Sequence, residues 1–286
     1  NFIVGGALKA GTTDIYHYLR QHPQVFMAAD KELRFFSYDE KDPWCITHPK
    51  GFPVKTFDKY LEAFSGAKDE IAIGEASPMY LHSEFAARKI RECLPDAKLI
   101  FSLRNPIDSA YSSFQMDFRV KRETRSVEDG LGIDQPRVQR YRYYFHLKKW
   151  FDLFPPENIK IIIFDDIVAD PASSIPGIYR FLHVDESFVP QEQNVERNSG
   201  GMPRNRVAGR FYVVMQELGK LSAIQRLKGI SPESIRKTYK SMRDASLAEA
   251  PPLAKRVRSE LTAYYAQDLR HLHRLVDVDI SRWNIV

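Results

Sequence analysis

Two short stretches of the chain hold residue types suited to gripping oxyanions. The first is Gly6-Ala7-Leu8-Lys9-Ala10-Gly11-Thr12-Thr13-Asp14. A glycine-rich turn between a strand and a helix directs consecutive backbone N–H groups, and the positive end of the helix dipole, at one spot. Lys9 adds a full charge there, and Thr12 and Thr13 add hydroxyl donors. The second stretch is Arg104-Asn105-Pro106-Ile107-Asp108-Ser109-Ala110-Tyr111-Ser112. An arginine at the carboxyl end of a strand, with a serine one turn beyond Asp108, makes a fork for a second phosphate. The lysine of the first loop precedes Gly11 by two residues, and no Lys-Ser/Thr pair follows. The magnesium-holding hydroxyl of a Walker A loop is therefore missing.

The elements that must position these groups are legible in the hydrophobic pattern. Phe2-Ile3-Val4 ends in Gly5-Gly6, as expected of a buried strand feeding a tight turn. From Asp14 the spacing of Ile15, Tyr18 and Leu19 predicts a short amphipathic helix that closes before Pro23. Residues 71–75, 98–104 and 159–164 are strand candidates. Asp108 is expected to cap a helix carrying Tyr111, Phe114 and Phe118 on its apolar face. Residues 171–182 follow as a helix, and 207–219, 233–243 and 253–276 look helical. Strands separated by helices imply a parallel sheet covered on both faces. The expectation is one α/β domain over 1–286, with an α/β core at 1–183 and a mostly helical extension at 184–286.

Composition narrows the function classes. Hydrophobic residues make up 43% of 286, enough for a sizeable core. A net charge of +5 is too small to argue for nucleic acid. The charge is uneven, with nine Lys or Arg against four Asp or Glu between Arg119 and Lys149. That stretch reads either as a solvated surface or as a landing strip for an anionic ligand. The two cysteines, Cys45 and Cys93, form no CxxC or Cys/His cluster, which argues against structural zinc and a disulfide scaffold. No apolar run approaches the ~20 residues of a membrane span. The absence of an N-x-Ser/Thr sequon disfavours secretory passage, so a cytoplasmic location is expected, with a Golgi lumen left open. A start at Asn1, almost directly on a strand, suits a domain cut from a longer chain.

The first loop, continued through Tyr16-x-Tyr18-Leu19-x-Gln21-His22-Pro23-Gln24-Val25, resembles the 5′-phosphosulfate loop of the sulfotransferases that use 3′-phosphoadenosine 5′-phosphosulfate (PAPS). The stretch from Leu103 to Ser112 resembles that family's 3′-phosphate motif. Lys31-Glu32-x-x-Phe35-Phe36 and Gly74-Glu75-Ala76-Ser77-Pro78-x-Tyr80-Leu81 are similar to two further family stretches. So are Phe164-Asp165-Asp166 with Asp170-Pro171, and Asp279-Ile280-Ser281-x-Trp283. The motifs run in family order over nearly the whole chain, and they resemble the bacterial and carbohydrate-type branch most. Ser109 stands where the family often carries a second arginine, and Ala76 where glycosaminoglycan enzymes tend to have lysine.

The resemblance implies a P-loop-NTPase-like sulfotransferase fold and in-line transfer of a sulfuryl group from PAPS to a hydroxyl, leaving PAP, with no metal required. Lys9 is implied at the bridging oxygen. Lys9, Ala10, Gly11, Thr12, Thr13 and Asp14 are implied around the 5′-phosphate, and Arg104 with Ser112 around the 3′-phosphate. Glu32 is the implied base, with His48 and His82 as fallbacks. Glu75, Ser77, Tyr80 and His82 are candidates for the acceptor side, and Asn198-Ser199 for a loop over the nucleotide. The acceptor stays open among a carbohydrate, a small-molecule alcohol and a hydroxyacyl chain on a carrier protein, the last in keeping with a domain embedded in a polyketide synthase. Two other readings of the residues also stand: a P-loop-like kinase or NTPase, and a non-catalytic module that binds an anionic polymer.

Overall fold

The computed structural model describes residues 1–191, 201–204, 206–218, 241 and 245–285. Five strands form one sheet, all parallel: β1 (Phe2–Gly6), β2 (Val25–Met27), β3 (Ala72–Ala76), β4 (Lys98–Leu103) and β5 (Ile159–Ile163). Their spatial order is β2-β3-β1-β4-β5. β1 is thus central, with Ile3 opposite Glu75 on one side and Leu99 on the other. The connections leaving β1 and β4 run to opposite sides, which opens a crevice at their carboxyl ends.

Both faces of the sheet are covered, which is why the strands read as nearly unbroken apolar runs. Helices α1 (Thr12–Gln21) and α2 (Pro171–Leu182) bury Ile15, Leu19, Ile175, Ile178 and Leu182 against Phe2, Val4 and Ile100. On the other face Trp150 lies with its ring 5.0 Å from Phe101 and Phe154 6.1 Å beyond. Trp150 and Phe154 come from the helix Tyr143–Leu153 and the residue that ends it.

Most of the expected elements are present, with small shifts of boundary. The edge strand β2 is an addition: three residues pair with β3 from Val25 opposite Ala72 to Met27 opposite Gly74. The cap of the helix Pro106–Arg119 is a correction. Asn105, not Asp108, accepts the first-turn N–H groups, from Ile107 at 3.0 Å and Asp108 at 3.4 Å. Pro106 fills the first helical position, where its missing N–H costs nothing, so Asp108 falls inside the first turn. The final expected helix is observed as Lys255–Leu275. The one expected at 233–243 lies, but for Ser241, outside the described residues.

The chain divides into two compact units that interleave along the sequence. Asn1–Ser109, Arg140–Glu196 and Thr262–Val286 form the first; Ala110–Gln139 and Arg197–Leu261 form the second. The second unit is tied by a network in which Arg137 reaches Asp117 at 2.7 Å and Glu123 at 3.0 Å, while Arg125 also holds Glu123 at 2.7 Å. These pairs hold the Glu123 carboxyl far below the usual carboxylate range, Arg125 contributing most. Two of the nine basic residues in the stretch from Arg119 to Lys149, Arg125 and Arg137, are thereby paired within the protein.

Candidate active site

The phosphate-type loop leaves β1 through a register shift between Val4 and Gly6 that turns the chain out of the sheet. Ala7 N–H then donates to the Ser102 carbonyl at 2.7 Å, fixing the loop beside β4. Lys9 and Gly11 both adopt left-handed backbone, at φ 64° and 74°. At Gly11 glycine is required twice, because a Cβ there would also sit 2.5 Å from Cδ2 of Phe164. Gly11 caps α1 without a side chain, and its carbonyl accepts from Asp14 at 2.9 Å and Ile15 at 3.1 Å. The first-turn N–H groups of Thr12 and Thr13 therefore have no partner within the helix, the arrangement an oxyanion completes.

Arg104 follows β4 at the same edge. Its Nη1 donates to the Lys9 carbonyl at 3.4 Å, and its guanidinium lies 5.0 Å above the Phe164 ring. Phe164 opens the helix after β5. One ring thus touches both Gly11 and Arg104, and three strand ends meet around it. The Tyr143 hydroxyl donates to the Arg104 carbonyl at 2.8 Å and lies 3.5 Å from the Ser109 hydroxyl. The carboxyl-terminal segment closes this side: the Trp283 carbonyl accepts from Asn105 Nδ2 at 3.3 Å, and Trp283 Nε1 donates to Asp165 at 3.4 Å. Arg282 pairs with Asp166. The 164–166 and 279–283 motifs, 115 residues apart, are therefore one contact. Ser112 lies in the helix Pro106–Arg119, is half-buried and belongs to the second unit.

Lys31 is a second cation at the loop. Its Nζ donates to Thr13 Oγ1 at 2.8 Å, and burial, opposed by Glu32 and Asp14, holds its pKa below the usual lysine range. Glu32 lies beside it at 3.8 Å and is gripped by Arg34, whose Nε and Nη2 both donate to Oε2. Arg34 also reaches the Gly51 carbonyl at 3.0 Å. Glu32 N–H donates to the Ala76 carbonyl at 2.9 Å, so the carboxylate is docked on the end of β3. The place of Lys31 and Arg34 in one motif with Glu32 is the sequence signal for these pairs.

Glu75, Ser77 and Tyr80 are all wholly buried, which corrects the expectation that they face an acceptor. The Glu75 carboxylate accepts from the Ser77 hydroxyl at 2.6 Å and the Tyr80 hydroxyl at 2.7 Å. Desolvation raises its pKa to about 7 against the pull of those bonds. Ser77 Oγ in turn accepts from Arg34 N–H at 3.0 Å. The three hold up the segment that carries Glu32. His82, half-buried, ends the turn Pro78–His82. His48 is exposed, stacked on Trp44 at 4.9 Å and engaged with Thr47 at 2.9 Å. Asn198 and Ser199 lie outside the described residues.

Comparison with known proteins bears on the family and the fold. The model of the sulfotransferase family matches residues 39–188, just over half of the chain. The crystal structure of a sulfotransferase from Alicyclobacillus acidocaldarius superposes with a TM-score of 0.71 at 26% identity, covering 99% of this chain and 98% of that one. A membrane-associated sulfotransferase of Dictyostelium discoideum is 31% identical over 44% of this chain. Human bifunctional heparan sulfate N-deacetylase/N-sulfotransferase 3 is 24% identical over 96% of it. Mouse heparan sulfate glucosamine 3-O-sulfotransferase 6 is 27% identical over 63%. The chain spans 25%, 29% and 51% of the length of these three relatives.

Proposed function

The chain belongs to the sulfotransferase family, and from that membership we propose that it transfers a sulfuryl group from PAPS to a hydroxyl acceptor. The observation that carries the reading is the meeting of Arg104 with the Lys9 loop, since a nucleotide with phosphates at both ends of one ribose needs two anion cradles on one edge. The cradle also fits an oxyanion locally: Gly11 is kept free of a Cβ, and the first turn of α1 offers its N–H groups.

The bound donor supplies the sulfuryl group and a 5′-phosphate that leaves with its electrons. Lys9 neutralises charge building on the departing oxygen, and Gly11, Thr12 and Thr13 donate hydrogen bonds to that phosphate. Lys31, by donating to Thr13 Oγ1, leaves the Thr13 hydroxyl proton free to point at the anion. Arg104, seated on Phe164, holds the 3′-phosphate. Glu32 takes the proton of the acceptor hydroxyl, its orientation set by Arg34 and Lys31. The acceptor is a carbohydrate, a small-molecule alcohol or a hydroxyacyl chain on a carrier protein. Incubation with sulfur-labelled PAPS and a panel of such acceptors, acyl-carrier thioesters included, tests the proposal. Label should appear on one acceptor class; binding of sulfated glycans with no transfer to any acceptor would refute it.

A further inference from the structure

The backbone that carries Glu32 is held in an unfavourable shape. Glu32 and Arg34 both adopt left-handed conformation, at φ 66° and 56°, on either side of the buried Leu33. Residues with a Cβ disfavour that region, and two so close together persist only where the surroundings dictate the path.

The hold traces back to one carboxylate. Each oxygen of the buried Glu75 accepts from a different hydroxyl, Oε2 from Ser77 at 2.6 Å and Oε1 from Tyr80 at 2.7 Å. A hydroxyl has a single proton, so with that proton committed to Glu75 its lone pairs are left for a second partner. Both hydroxyls turn them on the segment after Glu32. Ser77 Oγ accepts from Arg34 N–H at 3.0 Å, and Tyr80 Oη from Phe36 N–H at 3.4 Å. Glu32 N–H is held separately, by the Ala76 carbonyl at 2.9 Å. Ser77 makes one contact more: its own N–H donates to the Val4 carbonyl at 3.1 Å, just before the phosphate-type loop leaves β1. Its side chain thus grips the turn that presents Glu32, and its main chain grips the strand that feeds the Lys9 loop.

We propose that Ser77, oriented by Glu75, is a positioning residue for sulfuryl transfer, fixing the base Glu32 against the Lys9 loop. This rests on the transfer reading and deepens it. In-line displacement sets the attacking oxygen and the leaving phosphate on opposite sides of sulfur, so a base displaced from its place slows the reaction and leaves nucleotide affinity alone. Glu75 touches neither reactant and acts only through the two hydroxyls.

Transfer from sulfur-labelled PAPS, counted per bisphosphate-binding site, is compared for Ser77→Ala, Glu75→Gln and Tyr80→Phe, each alone and combined with Glu32→Gln. The assays run about one unit above pH 7, where Glu75, raised by burial to about 7, is ionised. Ser77→Ala should lower kcat by ~10–100-fold and leave bisphosphate affinity within about threefold. Glu75→Gln, which removes one of two acceptor oxygens, should cost less, and Tyr80→Phe least, because its bond to the segment is the longer. In the Glu32→Gln background the same substitutions should change kcat by less than about twofold, since no base is left to misplace. Equal losses in both backgrounds would make Ser77 a general support and overturn the proposal, as would full turnover in Ser77→Ala. Glu75→Gln and Tyr80→Phe preserve volume and decide the matter by the same comparison if Ser77→Ala does not fold. Amide hydrogen exchange reads the hold without activity: the Arg34 N–H should exchange at least ~tenfold faster in Glu75→Gln, with Val4 unchanged. Unaltered exchange at Arg34 would overturn the role given to Glu75. An unsubstituted chain that binds the bisphosphate but transfers to no acceptor would overturn the transfer reading, and the positioning role with it; transfer that is indifferent to these substitutions would overturn the positioning role alone.

Discussion

The guanidinium of Arg104 donates to the main-chain carbonyl of Lys9 at 3.4 Å, joining residues 95 positions apart at the edge between β1 and β4. The contact is made to the backbone, so it sets the path of the loop whatever the Lys9 side chain does. Its geometry depends on a planar fork that also lies 5.0 Å above the Phe164 ring.

Arg104→Lys keeps the charge and loses the fork. A hydrogen bond to a charged group is worth about 1.5–3 kcal/mol, so affinity for adenosine 3′,5′-bisphosphate should fall by ~10–100-fold. Calorimetric titration checks this, and unchanged affinity would remove Arg104 from the nucleotide site.

Lys9→Ala should lower turnover of labelled PAPS by ~10²–10³-fold or more, the loss that follows deletion of one stabilising group at a developing charge. The melting temperature should change little, because Lys9 is half-buried on a surface loop. Normal turnover would exclude it from the mechanism.

Gly11→Ala should damage the loop by two separate routes. The left-handed backbone costs a non-glycine residue about 1–2 kcal/mol, and the added methyl collides with Phe164. Phe164→Leu in the same chain should recover part of the lost stability and none of the backbone cost. Full recovery in thermal melts would mean that the collision alone matters.

Glu32→Gln should lower kcat by ~10²–10⁴-fold, the usual span for a general base, while bisphosphate affinity stays within about threefold. Equal losses in both would make Glu32 a structural partner of Arg34.

Glu75 predicts a pH signature in stability. Its pKa in the fold, about 7, lies above the ordinary value of 4.5. Below 4.5 both folded and unfolded chains are protonated and the group is neutral in the balance. Between 4.5 and 7 the unfolded chain releases its proton first, so stability falls as pH rises and levels off above 7. The full loss is of the order of 3 kcal/mol, taking ~1.4 kcal/mol per pKa unit. Glu75→Gln should flatten this slope in melts between pH 5 and 8, at a constant cost of about 1 kcal/mol for one imperfect hydroxyl bond. An unchanged slope would assign the titration to another group.

Read alone, the sequence determined what is local. Strand runs such as Ile159–Ile163, the glycine turn before α1 and the proline after Arg104 act within a few residues, through apolar burial and backbone sterics. The candidate phosphate grips were legible for the same reason. The short β2 carried too little pattern to stand out, since three residues gain strand character only from pairing with β3. What the tertiary structure alone decided is which distant groups share a place. Phe164 lies under both Gly11 and Arg104, Lys31 reaches Thr13, and Glu75, expected on the acceptor side, is sealed away. Strand order fixes these meetings, because it is set by the packing of two helical layers on a sheet and not by spacing along the chain.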